Sequence, residues 1–194
     1  MNLPNAITLS RLVLTAVFVV AMGFDGLGGK MTALLSFSVA AATDWLDGYL
    51  ARKMGLVTPL GKLLDPLADK ILVCAAFVFM SVESFAPVWV TAVIIGREFL
   101  VTGLRQIAIE AGQVLAADNL GKWKTTFQLI FIISALVWLA FSEMTERGLL
   151  AEFLWKLVDP SSWLIPASLW LALALTVISG ANYLWSGRNL LRTD

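Results

Sequence analysis

Histidine is missing altogether from the 194 residues, and cysteine occurs once, at Cys74. The first absence removes imidazole proton shuttles, histidine-based triads and histidine-ligated metals. The second removes an internal disulfide and any thiolate metal cluster. Charge is scarce as well, with 14% of residues Asp, Glu, Lys or Arg where an average soluble domain has about 25%. The 14 basic and 14 acidic residues cancel, so no bulk electrostatic pull toward nucleic acid exists. Any chemistry must therefore rest on carboxylates, Arg and Lys. What fills the chain instead is apolar: 59% of residues are hydrophobic and the mean hydropathy is +0.82. Disordered, collagen-like and disulfide-rich secreted classes are excluded. The size fits one membrane domain over residues 1–194.

Crossing about 30 Å of hydrocarbon takes roughly 20 apolar residues in a helix. Such stretches lie near residues 7–23, 31–53, 60–81, 87–109, 122–141 and 162–186. They predict an all-α, polytopic membrane protein with six transmembrane helices. The first stretch lacks the basic n-region of a signal peptide, since Asn2, Pro4, Asn5, Thr8, Ser10 and Arg11 stand there. The longest connection, 142–161, sets Glu143, Glu146, Arg147, Glu152, Lys156 and Asp159 around the apolar Leu149, Leu150, Phe153, Leu154 and Trp155. That pattern predicts a short interfacial helix between spans five and six. With a cytoplasmic N-terminus, the outward connections hold only Lys30, Arg147 and Lys156, and the other 11 of 14 basic residues fall on or near the inner side. The positive-inside bias then puts both termini in the cytoplasm and the protein in the cytoplasmic (inner) membrane as a multi-pass chain.

Ionisable groups within spans cost at least about 2.5–3.5 kcal/mol each at mid-helix, so they need a reason. Asp44 and Asp47 stand three apart near the inner end of span two, and Asp65 and Asp69 four apart near the inner end of span three. On antiparallel neighbours the four carboxylates converge and repel unless cations compensate. Lys70 and Arg52 are too few for that, whereas hard divalent ions such as Mg2+ or Mn2+ suit all-carboxylate ligation. A salt-bridged helix-end cluster or a proton relay is the other reading of the acids alone. Gly48 and Gly61 clear space where a bulky ligand meets a helix backbone, or simply allow close helix packing. Arg52 offers a planar fork for phosphate oxygens, or an anchor at the inner membrane face.

The spacing is more specific than any one of these residues. Asp44-x-x-Asp47-Gly48-x-x-Ala51-Arg52, eight residues, then Gly61-x-x-x-Asp65-x-x-x-Asp69 resembles the signature of the CDP-alcohol phosphatidyltransferases at every fixed position. The resemblance implies CDP-diacylglycerol as donor, with its pyrophosphate on two divalent cations, Mg2+ or Mn2+, held by Asp44, Asp47, Asp65 and Asp69. It implies Asp69 as the general base. It also implies donor contacts from Pro4, Asn5 and Thr8, from Gly48, Arg52 and Gly61, and from the hydroxyl of Thr58. Members of that family are typically homodimers with six spans, so a homodimer is expected.

A second polar stretch bears on the acceptor. At 100° per residue, Glu98, Thr102 and Arg105 fall within about 60° of one another on span four, with Arg97 beside them. Lys122 and Lys124 arrive from the start of span five on the same side. A cationic patch there suits an acidic, water-soluble acceptor such as a phosphorylated polyol, although lysines and arginines near helix ends also snorkel to the interface. Lys122 and Lys124 are two apart and cannot both face one way in a helix. Lys122 is therefore expected beside Arg105, and Lys124 elsewhere.

The runs Ile95-Gly96-Arg97-Glu98-Phe99, Thr102-Gly103-Leu104-Arg105 and Gly121-Lys122-x-Lys124-Thr125 resemble the branch of the family whose acceptor is glycerol 3-phosphate. That implies Arg97, Arg105, Lys122 and Lys124 as acceptor-phosphate ligands. The likeness covers about residues 2–130, and the last two spans match in hydropathy alone. Serine, an inositol phosphate or phosphatidylglycerol are the competing acceptors. A cation transporter is a further alternative, but its acids belong near the midplane and these cluster at one side. If the acids hold metal, exhaustive chelation with EDTA silences turnover and Mg2+ or Mn2+ restores it. Ca2+ substitutes poorly because its larger, looser shell misplaces the phosphate; full activity after chelation would remove the metals from the scheme.

Overall fold

The computed structural model describes the backbone of residues 3–54, 59–113 and 119–188, and side chains over 9–43, 70–113 and 120–188. Among the described residues it is all-helical, without strands. The helices are α1 (Leu3–Met22), α2 (Leu27–Met54), α3 (Pro59–Val82), α4 (Val88–Glu110), α5 (Asn119–Ser142), α6 (Leu149–Leu157) and α7 (Leu164–Ser186). The six long ones fall on the six apolar stretches, and the nine-residue α6 falls inside the longest connection. The breaks follow local chemistry. Gly26 takes a left-handed φ of 87° between α1 and α2, and Pro87 precedes the first turn of α4.

Packing centres on α5, which touches α2, α3, α6 and α7, while α1 lies against α2 and α3, and α4 against α3 and α7. Phe18, Phe37, Phe77 and Phe131 are fully buried. Phe77 stacks on Phe131 at 5.5 Å, and Phe18 meets Phe37 at 5.6 Å. Ala33, Ala40, Ala76 and Ala135 beside them have no exposed surface and let the backbones approach. Among lipid tails, apolar burial gives little drive to associate, so this interdigitation is what holds the helices together.

The outer surface is apolar too: Val13, Val20, Leu35, Val39, Val78 and Val82 all stand exposed. In water such a surface would drive association; in hydrocarbon it is the expected exterior. Among the described residues, two segments of 23 residues each, Leu120–Ser142 and Leu164–Ser186, are long and apolar enough to cross a membrane. On α4 the apolar run is interrupted by Arg97, Glu98 and Arg105, so length and hydropathy alone do not identify it as a span.

Helix α6 has the character expected of an interfacial helix. Leu149, Leu150 and Phe153 face outward with nothing packed over them. Its other side is tied to the end of α5, where Trp155 Nε1 donates to Ser142 Oγ at 3.0 Å. Arg147 stacks over the Trp155 ring at 4.4 Å and donates to the carbonyls of Phe141 and Ser142 at 2.5 and 3.2 Å. These are among the last carbonyls of α5; that of Phe141 also accepts from Met144 N at 3.2 Å, and the guanidinium adds a donor to both.

Lys30 departs from expectation. The hydropathy pattern leaves it in an outward connection, but it sits in the first turns of α2, 6% exposed, with Nζ 2.6 Å from Glu83 Oε1 at the end of α3. The apolar pattern begins after Lys30, whereas helical hydrogen bonding begins before it, so a residue read as solvated is enclosed. Glu83→Gln leaves the ammonium enclosed without a counter-charge. With the carboxylate partly screened, unfolding in detergent should show a loss of about 2–3 kcal/mol, largely recovered in the Lys30→Met/Glu83→Leu pair.

Candidate functional site

Helix α1 carries Pro4, Asn5 and Thr8; α2 carries Asp44, Asp47, Gly48 and Arg52; α3 carries Gly61, Asp65 and Asp69. The side chains of all of these, and Thr58 entirely, lie outside the described residues. Among the described residues no group of three or more carboxylates or thiols could hold a metal ion. The donor set of the four aspartates is all oxygen, which fits a hard divalent cation.

The second polar stretch is described in full on α4, α5 and α7. Glu98 of α4 is its centre. Its Oε1 accepts from Lys124 Nζ of α5, and its Oε2 lies 3.7 Å from Arg97 Nη1. The three side chains are enclosed, with exposures of 5% for Lys124, 11% for Arg97 and 12% for Glu98. Arg97 crosses to α7, where its Nη2 donates to Ser179 Oγ. A β-carbon at Gly180 would stand 3.0 Å from Arg97 Cγ, so that glycine is what admits the arginine between the helices. Two turns further on, Gly187 leaves room for Leu104, which a methyl group would overlap. Both glycines draw α7 close to α4.

Arg105 is exposed, and its Nη2 donates to Tyr183 Oη. The Tyr183 ring lies under two cations, 4.9 Å from the Arg105 guanidinium and 5.7 Å from that of Arg97. Each such contact contributes about 0.5–2 kcal/mol and fixes the plane of the guanidinium. Lys70, next in sequence to Asp69, is one of the cations whose charge acts on Lys124. The cationic cluster therefore adjoins the end of the aspartate signature. These groups gather cationic side chains of a kind suited to a phosphate.

The four expected acceptor residues thus divide. Arg97, Arg105 and Lys124 meet around Glu98 and Tyr183, while Lys122 is exposed. The two lysines do point different ways, but Lys124 is the inward one, a reversal of the expectation. Angular spacing fixes only their difference in direction; Glu98 on another helix decides which one is drawn in. The sequence motifs do not mark Ser179, Gly180 and Tyr183. The signal for them is Ser179, Gly180, Asn182 and Tyr183 within two turns of a mostly apolar helix.

Comparison with known proteins points in one direction. The family described as CDP-alcohol phosphatidyltransferase matches residues 1–178. A Bacillus subtilis protein named CDP-diacylglycerol–glycerol-3-phosphate 3-phosphatidyltransferase is 41% identical over 205 residues, covering 100% of this chain and 98% of its own length. Proteins of the same name from Pseudomonas fluorescens and Rickettsia bellii are 40% and 32% identical, covering 70% and 94% of this chain and 72% and 93% of their own lengths.

The inward placement of Lys124 has a direct test in stability. Lys124→Met leaves Glu98 with Arg97 alone and should cost about 2–3 kcal/mol in detergent unfolding. Lys122→Met, at an exposed position, should stay within about 0.5 kcal/mol. Equal effects would mean that the two lysines share one environment.

Proposed function

The chain belongs to the CDP-alcohol phosphatidyltransferase family, and from that premise we propose that it transfers the phosphatidyl group of CDP-diacylglycerol to glycerol 3-phosphate, giving phosphatidylglycerophosphate and CMP. The observation that carries the choice of acceptor is the cluster of Arg97, Arg105 and Lys124 beside Lys70, the neighbour of Asp69. A phosphorylated acceptor held there brings its free hydroxyl toward the signature. Serine carries no phosphate for such a cluster to hold.

In this scheme Asp44, Asp47, Asp65 and Asp69 hold two divalent cations, Mg2+ or Mn2+. When bound, these supply electrophilic stabilisation of the donor pyrophosphate. Pro4, Asn5, Thr8, Gly48, Arg52, Thr58 and Gly61 form the donor site, where Arg52 adds a fixed positive charge. Arg97, Arg105, Lys122 and Lys124 serve the acceptor phosphate, with Lys122 at its exposed rim. Asp69 takes the proton of the primary hydroxyl as that oxygen bonds to the diacylglycerol-bearing phosphorus. The bond from that phosphorus to the oxygen shared with CMP breaks, and CMP leaves with the electron pair.

All six long helices cross the inner membrane in this reading, with both termini and the site cytoplasmic. Support comes from the placement of 11 of the 14 basic residues on that side and from the apolar exterior. The residues 1–194 act as one domain, in a homodimer. A site at the inner edge lets lipid tails stay in the bilayer while the head group meets an aqueous acceptor.

Purified protein given CDP-diacylglycerol and a panel of alcohols should release CMP with glycerol 3-phosphate and far less with serine, inositol phosphate or phosphatidylglycerol. Preference for another acceptor would replace this reading by a sibling activity. Asp69→Asn should abolish turnover while largely sparing donor binding, and substantial residual activity would take Asp69 out of the base role. Arg105→Ala should raise the KM for glycerol 3-phosphate about 10-fold to 150-fold, the equivalent of one charge-assisted hydrogen bond. The KM for CDP-diacylglycerol should hardly move.

A further inference from the structure

A carboxylate at the centre of an anion site is a contradiction on its face, because Glu98 repels the phosphate that its neighbours attract. Burial sharpens it: at 12% side-chain exposure, water screens the repulsion poorly. From this we infer that Glu98 is a positioning residue for the acceptor, holding Lys124 and Arg97 in the orientation that receives the phosphate. The inference rests on the phosphorylated-acceptor reading above.

Three features of the site carry it. First, both oxygens of Glu98 are committed, Oε1 to Lys124 Nζ and Oε2 toward Arg97 Nη1 at 3.7 Å. One carboxylate thus fixes two cations that belong to different helices or neighbouring positions and would otherwise repel. Second, the cations are long side chains that, unpaired among apolar helices, extend toward the interface. Lys124 instead stays 5% exposed, held against Glu98. Third, among the described residues Lys124 and Arg97 are enclosed against Glu98 while Arg105, held over Tyr183, stays exposed, so a cation remains within reach of an anion beside the fixed pair. Arg97 is held from a second direction by Ser179 Oγ. Glu98 gives up part of the attraction for phosphate and gains fixed geometry, which a reaction between two bound substrates needs.

Glu98→Gln tests this because the two possible roles have opposite signs. The amide keeps the shape and one acceptor oxygen but removes the negative charge. If Glu98 positions the cations, the KM for glycerol 3-phosphate should rise about tenfold or more and kcat should fall, with the KM for CDP-diacylglycerol unchanged. If Glu98 merely repels, removing it should lower the acceptor KM; that result, or no change, would overturn the inference. Glu98→Asp should fall between the wild type and Glu98→Gln.

A double substitution separates positioning from folding. In Lys124→Met/Glu98→Gln both charges of the pair are gone, which a fold tolerates better than losing one. If Glu98 acts through its cations, its removal should add less than about threefold to the acceptor KM of Lys124→Met. Additive effects both here and in Arg97→Met/Glu98→Gln against Arg97→Met would assign Glu98 a role independent of its two cations and overturn the inference. The same assays on the wild type keep the two readings apart: if it ignores glycerol 3-phosphate, the acceptor reading fails before the Glu98 comparison begins.

Discussion

An ion enclosed by apolar helices persists only when an opposite charge or a fixed donor meets it at contact distance. That constraint organises the described part of the molecule. At one end Lys30 is closed against Glu83, which ties the start of α2 to the end of α3. On the cytoplasmic side of the proposed topology, Glu98 gathers Lys124 and Arg97, and Arg97 reaches Ser179, so α4, α5 and α7 are joined through one carboxylate. At the junction of α5 and α6, Arg147 lies over Trp155 and closes the carbonyl end of α5. The apolar layer between consists of stacked phenylalanines and small alanines. It sets the helix spacing but supplies few directional contacts of its own.

The division of labour explains which features were legible in the sequence. Apolar run length depends on consecutive residues alone, and all six long helices were visible in it. Helix α6 was visible too, because charged residues alternate with Leu149, Leu150 and Phe153 within a few positions. The aspartate signature is likewise local, spread over α2, α3 and the stretch between them. Contacts between distant positions were not legible. Lys124 and Glu98 are 26 positions apart, Arg105 and Tyr183 78, and Arg97 and Ser179 82. No periodicity within one helix says which neighbour it will meet, so Lys122 and Lys124 could be separated but not assigned.

Lys30 failed for the related reason that hydropathy marks where apolar character begins rather than where a helix begins. A helix can extend a turn beyond its apolar run if the first charged side chain finds a partner on a neighbour. Glu83 is such a partner. The same logic applies to Arg97, Glu98 and Arg105, which break the apolar character of α4 without breaking its helix from Val88 to Glu110. The charged groups that lower hydropathy in the sequence find partners in space, Lys124 on α5 and Ser179 and Tyr183 on α7.

The proposed chemistry depends on an asymmetry between two sets of charges. The signature on α2 and α3 is rich in carboxylates, and the cluster on α4 and α5 is rich in cations, with Lys70 following Asp69 at their junction. Both proposed substrates carry phosphate, but they need different counter-charges. A pyrophosphate whose phosphorus is to be attacked is served by divalent cations, which stabilise charge as it develops. A spectator phosphate on the acceptor needs only to be held, and fixed Arg and Lys side chains do that without drawing electrons from the nucleophile. Carboxylates on one side and paired cations on the other give each phosphate its own kind of partner. The cost is a repulsion between the acids and the incoming acceptor. The cations gathered around Glu98 offset it where the acceptor enters.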